Sequence, residues 1–403
     1  MHLITKEQKK NMLFLFMGMF FLTMSATDIY ISSLPGMVEF FHTTPSMINL
    51  TMSAYMIGTA ITVTFIGEVS NKYGRHKVII FGSTLFSSAA LMIFLSHNLY
   101  LIILLRFVQA IGCAIIMVVP RLMLKDSMTA QEQIHANGIL LMGLIISPAI
   151  APILGTYIDQ IFGWKYCFLF TAISGLALSY YAYKILPETN TTPIKKFANP
   201  NSYIMIYWNI IKSPTFIAMT IIYCCGSGAF FAFMGIASYL YISDWGIAQE
   251  HYSILYVFAA FAYFLGNMIM QQLNKKNISP YLIIHKGVYS TAIGVLIIAS
   301  SLLVPSITLK IYIVTIGMIF TRTANALISP PTQIMVMKLF DKHSAQALGM
   351  NLCCAFTMNS ISTWLVTILP LSHYHSLIVV SGLLITICFI TYNVIIKKQI
   401  VTQ

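Results

Sequence analysis

The sequence predicts an all-α integral membrane protein, with twelve transmembrane helices in two six-helix bundles around a central cavity. Three observations predict it: the composition, the apolar segments of spanning length, and the placement of Lys and Arg between them. Of 403 residues, 58% are hydrophobic and 8% charged. An ordinary soluble domain carries roughly a quarter charged residues. So few charges cannot cover a water-facing surface, which excludes a soluble enzyme, a disordered chain and a nucleic-acid-binding domain. A spanning helix needs about 20 apolar residues, so twelve take about 240 and leave only short loops.

Apolar runs separated by Gly, Pro, Asn and charge clusters place the helices at 12–34, 46–67, 78–97, 99–120, 134–157, 164–186, 214–242, 252–273, 282–304, 309–329, 345–369 and 374–396. Backbone groups in lipid must be satisfied within the segment, so each reads as a helix. The alternating ten-residue stretches of a barrel are absent. With the N-terminus inside, nineteen Lys and Arg fall on the cytoplasmic side, among them Lys6, Lys72, Arg121, Lys195, Lys196, Lys338, Lys397 and Lys398. Only Lys165 and Lys310 fall outside. This bias supports both the helix count and cytoplasmic N- and C-termini. The net charge of +12 is therefore a topology signal, not a nucleic-acid patch. The first apolar run continues past Asp28 to Pro35, so it reads as an uncleaved helix rather than a signal peptide.

The longest polar stretch, 187–213, divides the chain into an N-terminal bundle (1–190), a cytoplasmic linker (191–212) and a C-terminal bundle (213–403). Tyr30-Ile31-Ser32 near the end of helix 1 is echoed by Tyr241-Ile242-Ser243 in helix 7, and Arg106 in helix 4 by Arg322 in helix 10. Six plus six helices with a central loop is the layout of a transporter built from parallel repeats, with its site between the halves. Such a chain is expected to act as a monomer.

Asp28, Arg106 and Arg322 lie inside spans, where a charge costs at least about 2.5–3.5 kcal/mol on insertion scales. Asp28 is roughly 24 Å from the inner boundary and Arg106 roughly 10 Å from the outer one, so both fall in the outer half of the membrane. Asp28 is then a proton-binding group whose titration is set by Arg106, hydration and substrate, or half of a static ion pair, or a residue at the outer interface. Ser25, Asp28 and Ser32 share one helix face; Arg106 is followed by Gln109, and Arg322 by Asn325 and Ser329. Each trio or pair forms a polar stripe that must face protein or water, as cavity lining or as interhelical hydrogen bonding. Arg322 has no acid at its own depth in helices 7–12, which points either toward an anionic or zwitterionic substrate or to a backbone carbonyl that satisfies the arginine. Helices 7 and 8 are rich in aromatics, including Tyr223, Phe230, Phe231 and Tyr263, suited to a malleable apolar site or to packing. The seven cysteines sit in apolar runs and read as small core residues. No metal-ligand spacing and no nucleophile–base constellation appears; His373 and His375 read as a solvated turn. No enzyme, metal or cofactor is expected.

The loop after helix 2, Gly67-Glu68-Val69-Ser70-Asn71-Lys72-Tyr73-Gly74-Arg75-His76-Lys77, resembles the signature loop of the major facilitator superfamily. Leu105-Arg106-Phe107-Val108-Gln109-Ala110-Ile111-Gly112 resembles the arginine element of its fourth helix. Residues 143–155, with Gly143, Pro148, Pro152 and Gly155, are similar to the fifth-helix motif of its drug/proton antiporters. With Asp28-Ile29-Tyr30-Ile31-Ser32-Ser33-Leu34-Pro35, the resemblance is to the bicyclomycin/chloramphenicol-resistance (Bcr/CflA) branch. It implies the major facilitator fold, proton coupling through Asp28 and Arg106, a gating loop carrying Gly67, Asn71, Gly74, Arg75 and Lys77, and a fifth helix that limits leak. Two departures stand out: the family's loop aspartate is Asn71 here, and Phe20 and Phe21 stand where some relatives carry a second acid. The function implied is proton-coupled antiport of small organic molecules or drugs out across the bacterial inner membrane. The alternative is a carrier of an anionic metabolite or carboxylate-type siderophore.

Overall fold

Helix α1 (Lys6–Asp28) starts where the sequence supplies a cap. Thr5 accepts from the Gln8 amide and the Gln8 side chain accepts from the Thr5 amide, which satisfies two of the orphan donors of a helix start. In the computed structural model, which describes residues 5–190 and 200–396, the chain continues as α2 (Leu34–Phe40), α3 (Pro45–Tyr73), α4 (Arg75–Leu95), α5 (Leu99–Ser127), α6 (Ala130–Phe162) and α7 (Lys165–Ile185). It then forms α8 (Pro200–Ile211), α9 (Pro214–Ser238), α10 (Gln249–Lys275), α11 (Pro280–Ser300), α12 (Ile307–Leu339), α13 (Ser344–Ile368) and α14 (His373–Thr391). Each of the twelve expected segments is carried mainly by one long helix of this series, α2 and α8 being the short additions. Among the described residues, ten helical spans are long and apolar enough to cross a membrane by length and composition. The exceptions are α7, with Tyr166, Tyr180, Tyr181 and Tyr183, and α13, with Asn351, Asn359 and several hydroxyls.

Four boundaries depart from expectation. The first segment is not one helix: α1 stops at Asp28, a turn and a 3-10 turn (Ile31–Ser33) follow, and α2 restarts with Pro35 in its first turn. Proline lacks the amide that would continue the helix, and suits a helix start. Proline does not end the fourth and tenth helices: α5 runs through Pro120, and α12 runs through Pro330 and Pro331. One lost amide per proline is tolerated where neighbouring helices hold the segment. Arg121 therefore sits on a helix rather than in a cytoplasmic loop, its guanidinium 5.1 Å from the Phe20 ring. The expected linker contains α8, whose run Ile204-Met205-Ile206-Tyr207-Trp208 was a readable apolar signal. Residues 191–199, with Lys195 and Lys196, and the Lys397–Lys398 pair lie outside the described residues.

The chain forms two compact units, Met1–His42 with Ala54–Ala198, and Thr43–Ser53 with Asn199–Gln403. In the first, α1 packs on α5, α6 and α7, and Phe16, Phe20, Phe86, Cys113 and Ile116 form part of its apolar core. In the second, α9 is the central helix, packed on α12, α13 and α14. The opening turns of α3 belong to this second unit. There the buried Asn49 amide donates to the carbonyls of Gly235 (2.7 Å) and Thr363 (3.0 Å) and accepts from the Tyr239 hydroxyl (3.2 Å). Ser53 and Ser360 each donate to the other's carbonyl, at 3.1 and 3.2 Å.

Helix α6 begins on a second capping box, Thr129 with Glu132. Lys9 donates to Glu132 at 2.8 Å, and this bond, with the Thr129 amide, holds the Glu132 carboxyl below its ordinary range. The tie is complete above the ordinary carboxylate pKa and dissolves as pH falls through the lowered one. Further along, α1 and α6 meet backbone to backbone. A Cβ on Gly155 would lie 1.6 Å from the Ile29 carbonyl oxygen, and one on Gly143 would lie 2.4 Å from that of Met17. Gly155→Ala must therefore push the helices apart. Overpacking of this kind costs about 1–3 kcal/mol, and a fall in melting temperature of the detergent-solubilised protein is expected. An unchanged melting temperature would show that the crossing relaxes freely.

Candidate functional site

Helix α5 is fixed at its start by Asn98, whose side-chain oxygen accepts from the amides of Tyr100 and Leu101. Two turns in, Arg106 is fully buried. Its Nη1 donates to the Ala26 carbonyl of α1 (3.0 Å) and to Gln109 Oε1 (2.7 Å). The guanidinium lies 4.2 Å from the Tyr55 ring centroid, 5.0 Å from Tyr30 and 5.8 Å from Phe168. Tyr55 is held by its own donation to the Thr23 carbonyl. Charge-assisted bonds contribute about 1.5–3 kcal/mol each, and a desolvated cation over an aromatic ring up to about 2. Together they offset the insertion cost of the arginine. Asp28, 6% exposed, is the last residue of α1, two positions beyond the carbonyl that Arg106 holds. Gln109 is wholly buried beside Arg106.

Ser25 and Ser32, expected on the Asp28 stripe, bind α6. Ser25 Oγ is 3.0 Å from Ser147 Oγ and donates to the Phe21 carbonyl. Thr156 donates to Ser32 at 2.9 Å and to the Pro152 carbonyl at 3.0 Å. Their polar atoms thus join α1 and the 3-10 turn after it to the stretch of α6 from Gly143 to Thr156, where Pro148 and Pro152 interrupt the ladder.

The loop motif is organised by two acids that the motif alone does not contain. Glu188 accepts from the backbone amides of Arg75 (3.0 Å) and His76 (3.2 Å), capping α4. A negative group at a helix start is favoured by the exposed amides and the helix dipole. Gly74 has φ +93°, and a Cβ there would meet Glu188 Oε2 at 2.4 Å, so both conformation and space demand glycine. Arg75 donates through Nε to Asp126 (3.1 Å), and through Nη1 to Ser70 Oγ (2.5 Å) and the Gly67 carbonyl (3.3 Å). The Asn71 carbonyl accepts from Asn190 at 2.8 Å, while the Asn71 side chain makes no bond among the described residues. Lys77 is exposed.

In the second unit, Arg322 lies near the middle of α12. Its guanidinium is 4.0 Å from the Phe230 ring centroid (α9) and 4.5 Å from that of Tyr263 (α10). Its Nε is buried without a partner. Among the described residues Arg322 makes no hydrogen bond and no ion pair. An unpaired buried donor costs about 1–3 kcal/mol, so Arg322 is less well compensated than Arg106. Asn325, 6% exposed, makes no side-chain bond among the described residues. Ser329 accepts from Gln333 (3.1 Å), which also reaches the Tyr223 hydroxyl (3.5 Å). The stripe is therefore longer than expected, since Gln333 continues it one further turn. His373 is not in a solvated turn: it begins α14 and pairs with Asp244 at 2.9 Å, because Ser372 caps that helix.

Sequence reasoning missed Tyr55, Phe168, Asn49, Asp126 and Glu188 as working residues. Gln333 had a signal, its helical spacing from Arg322. The others are recognisable only by what they touch.

Long apolar helices with charged side chains held inside them define a multi-pass membrane protein. The Major Facilitator Superfamily pattern matches residues 16–363, and the chain belongs to that superfamily. It is 28% identical to an uncharacterized transporter of Rickettsia bellii over 71% of this chain and 70% of that one. It is 25% identical to a chloramphenicol resistance protein of Pseudomonas aeruginosa, over 85% and 80% of the two chains. It is also 25% identical to multidrug resistance protein D of Escherichia coli, over 67% and 68%. Its fold is similar to that of a bacterial homologue of the human lysosomal transporter Spinster, with a TM-score of 0.78, 13% identity and 98% of both chains covered. It is also similar to the E. coli xylose transporter XylE, with a TM-score of 0.72, 12% identity, and 97% and 98% covered.

Arg106→Leu would strand the Ala26 carbonyl and Gln109 in the core and should lower stability by about 2–4 kcal/mol. Arg106→Lys, which keeps one donor and the charge, should lose less. Equal melting temperatures for both variants and the parent would show that the buried bonds carry no stability.

Proposed function

We propose that this transporter is a proton-coupled antiporter that exports small organic molecules or drugs across the bacterial inner membrane by alternating access, with both termini cytoplasmic. The observation that carries the reading is the Asp28–Arg106 neighbourhood. The only acid inside the first span ends a helix whose last turn is held by a fully buried arginine. A carboxyl so placed has a neutral and an anionic form that the surrounding helices must accommodate differently, which is the requirement for coupling a proton to a conformational change. Arg106 positions α1 and answers the charge of Asp28. Gln109 holds Arg106. The relatives described as resistance proteins support a drug-like substrate, as does the aromatic and methionine-rich composition. The Gly/Pro segment of α6 supports export, through a close α1–α6 seam that limits leak. Arg75, held by Asp126, would set the strength of the gating loop.

Asp28→Asn tests the proposal. In proteoliposomes with an imposed pH gradient and chloramphenicol as probe, the parent should transport and the variant should lose at least about tenfold of the gradient-driven rate, while eluting and melting like the parent. Gradient-driven transport that survives in Asp28→Asn would sink the proton role.

A further inference from the structure

We infer that Arg322 is the anion-recognition element of a substrate subsite in the second unit, and that this subsite takes an organic anion with an apolar, preferably aromatic, body. The inference rests on the transport reading for its setting and goes beyond it by naming the substrate class.

The contrast between the two arginines inside the helices carries the inference: Arg106 is fully buried and Arg322 partly so. Arg106 has two oxygen acceptors within 3.0 Å. Arg322 has none among the described residues, and its Nε is buried without a partner. Rings cover the guanidinium: Phe230 at 4.0 Å and Tyr263 at 4.5 Å from their centroids. Aromatic rings satisfy the π-face of a guanidinium but not its in-plane N–H donors. Those donors form a rigid fork that matches the two oxygens of a carboxylate, phosphonate or sulfonate. A ligand oxyanion would supply what the protein withholds.

Two further observations point to a ligand rather than to an unmatched core group. Asn325, one turn along α12, has an amide with no bond among the described residues and is not fully enclosed. Ser329, a turn beyond, is oriented by Gln333. Arg322, Asn325 and Ser329 thus present charge and hydrogen-bonding groups on one helix face at i, i+3 and i+7 spacing. The flank opposite is apolar, with Phe231 packed edge-on against Phe230 at 5.6 Å. An inorganic anion would lose its hydration there and gain nothing from the rings. An organic anion places its charge on Arg322 and its body on the aromatic flank.

The test is equilibrium binding to the purified full chain in lipid nanodiscs, without any gradient, using radiolabelled 1-naphthoate. Competitors are unlabelled 1-naphthalenesulfonate, 1-naphthamide, 1-naphthylmethylammonium and inorganic phosphate. The parent should bind naphthoate saturably, with the sulfonate competing and the neutral, cationic and inorganic competitors at least tenfold weaker. Arg322→Gln should lose at least tenfold in naphthoate affinity, Arg322→Lys an intermediate amount, and Phe230→Leu should weaken naphthoate more than acetate. No saturable naphthoate binding, amide or ammonium competing as well as naphthoate, complete displacement by equimolar phosphate, or full affinity in Arg322→Gln would each overturn the inference. If Arg322→Gln does not fold, the competitor series on the parent decides. Because no gradient is applied, a failed Asp28→Asn transport result leaves this binding result standing, and the reverse also holds.

Discussion

The central constraint on this molecule is the matching of ionised groups inside apolar helices. Arg106 is tolerated at zero exposure because an α1 carbonyl, a glutamine and three aromatic rings surround it. That requirement then dictates its neighbours. Tyr55 must be tethered, so it donates to the Thr23 carbonyl. The carbonyl of Ala26 must face α5, so α1 presents that edge and ends at Asp28. The backbone of α1 at Met17 and Ile29 also approaches α6 closely enough to need Gly143 and Gly155. One buried cation thereby orients the central helix of the first unit.

The same physics explains why the loop after α3 works as a joint rather than as a simple basic turn. Arg75 is buried and must be neutralised, which Asp126 at the end of α5 does. Glu188, beyond α7, caps α4. The chain ends of α3, α4, α5 and α7 are thus drawn to one polar knot by two acids far apart in sequence. Asn71, standing where the family has an acid, contributes its backbone carbonyl to that knot. The second unit shows the complementary situation: Arg322 is flanked by rings yet short of acceptors, so its charge is matched incompletely by protein alone.

Helix α3 shows how weakly helix boundaries define packing units. Its first turns, Pro45–Ser53, pack with the second unit, and the remainder with the first. The buried Asn49 amide, bonded to the carbonyls of Gly235 and Thr363, secures that assignment with strong, directional contacts. A division of the chain by its central polar stretch treats α3 as wholly N-terminal, since nothing in an apolar run announces which bundle each of its turns will meet.

What the sequence determined by itself was the membrane class, the twelve long helices and the residues too costly to be incidental: Asp28, Arg106 and Arg322. These follow from transfer free energies, which depend on residue type and run length and not on distant partners. The glycine and proline signatures were legible for the same reason, since backbone freedom is local. Only the tertiary structure decided which partners answer each charge, that Ser25 and Ser32 serve α6, that α5 and α12 run through their prolines, and that α1 breaks at Asp28. Those outcomes depend on directional hydrogen bonds and close backbone approach between segments more than a hundred residues apart, and sequence spacing does not encode such geometry.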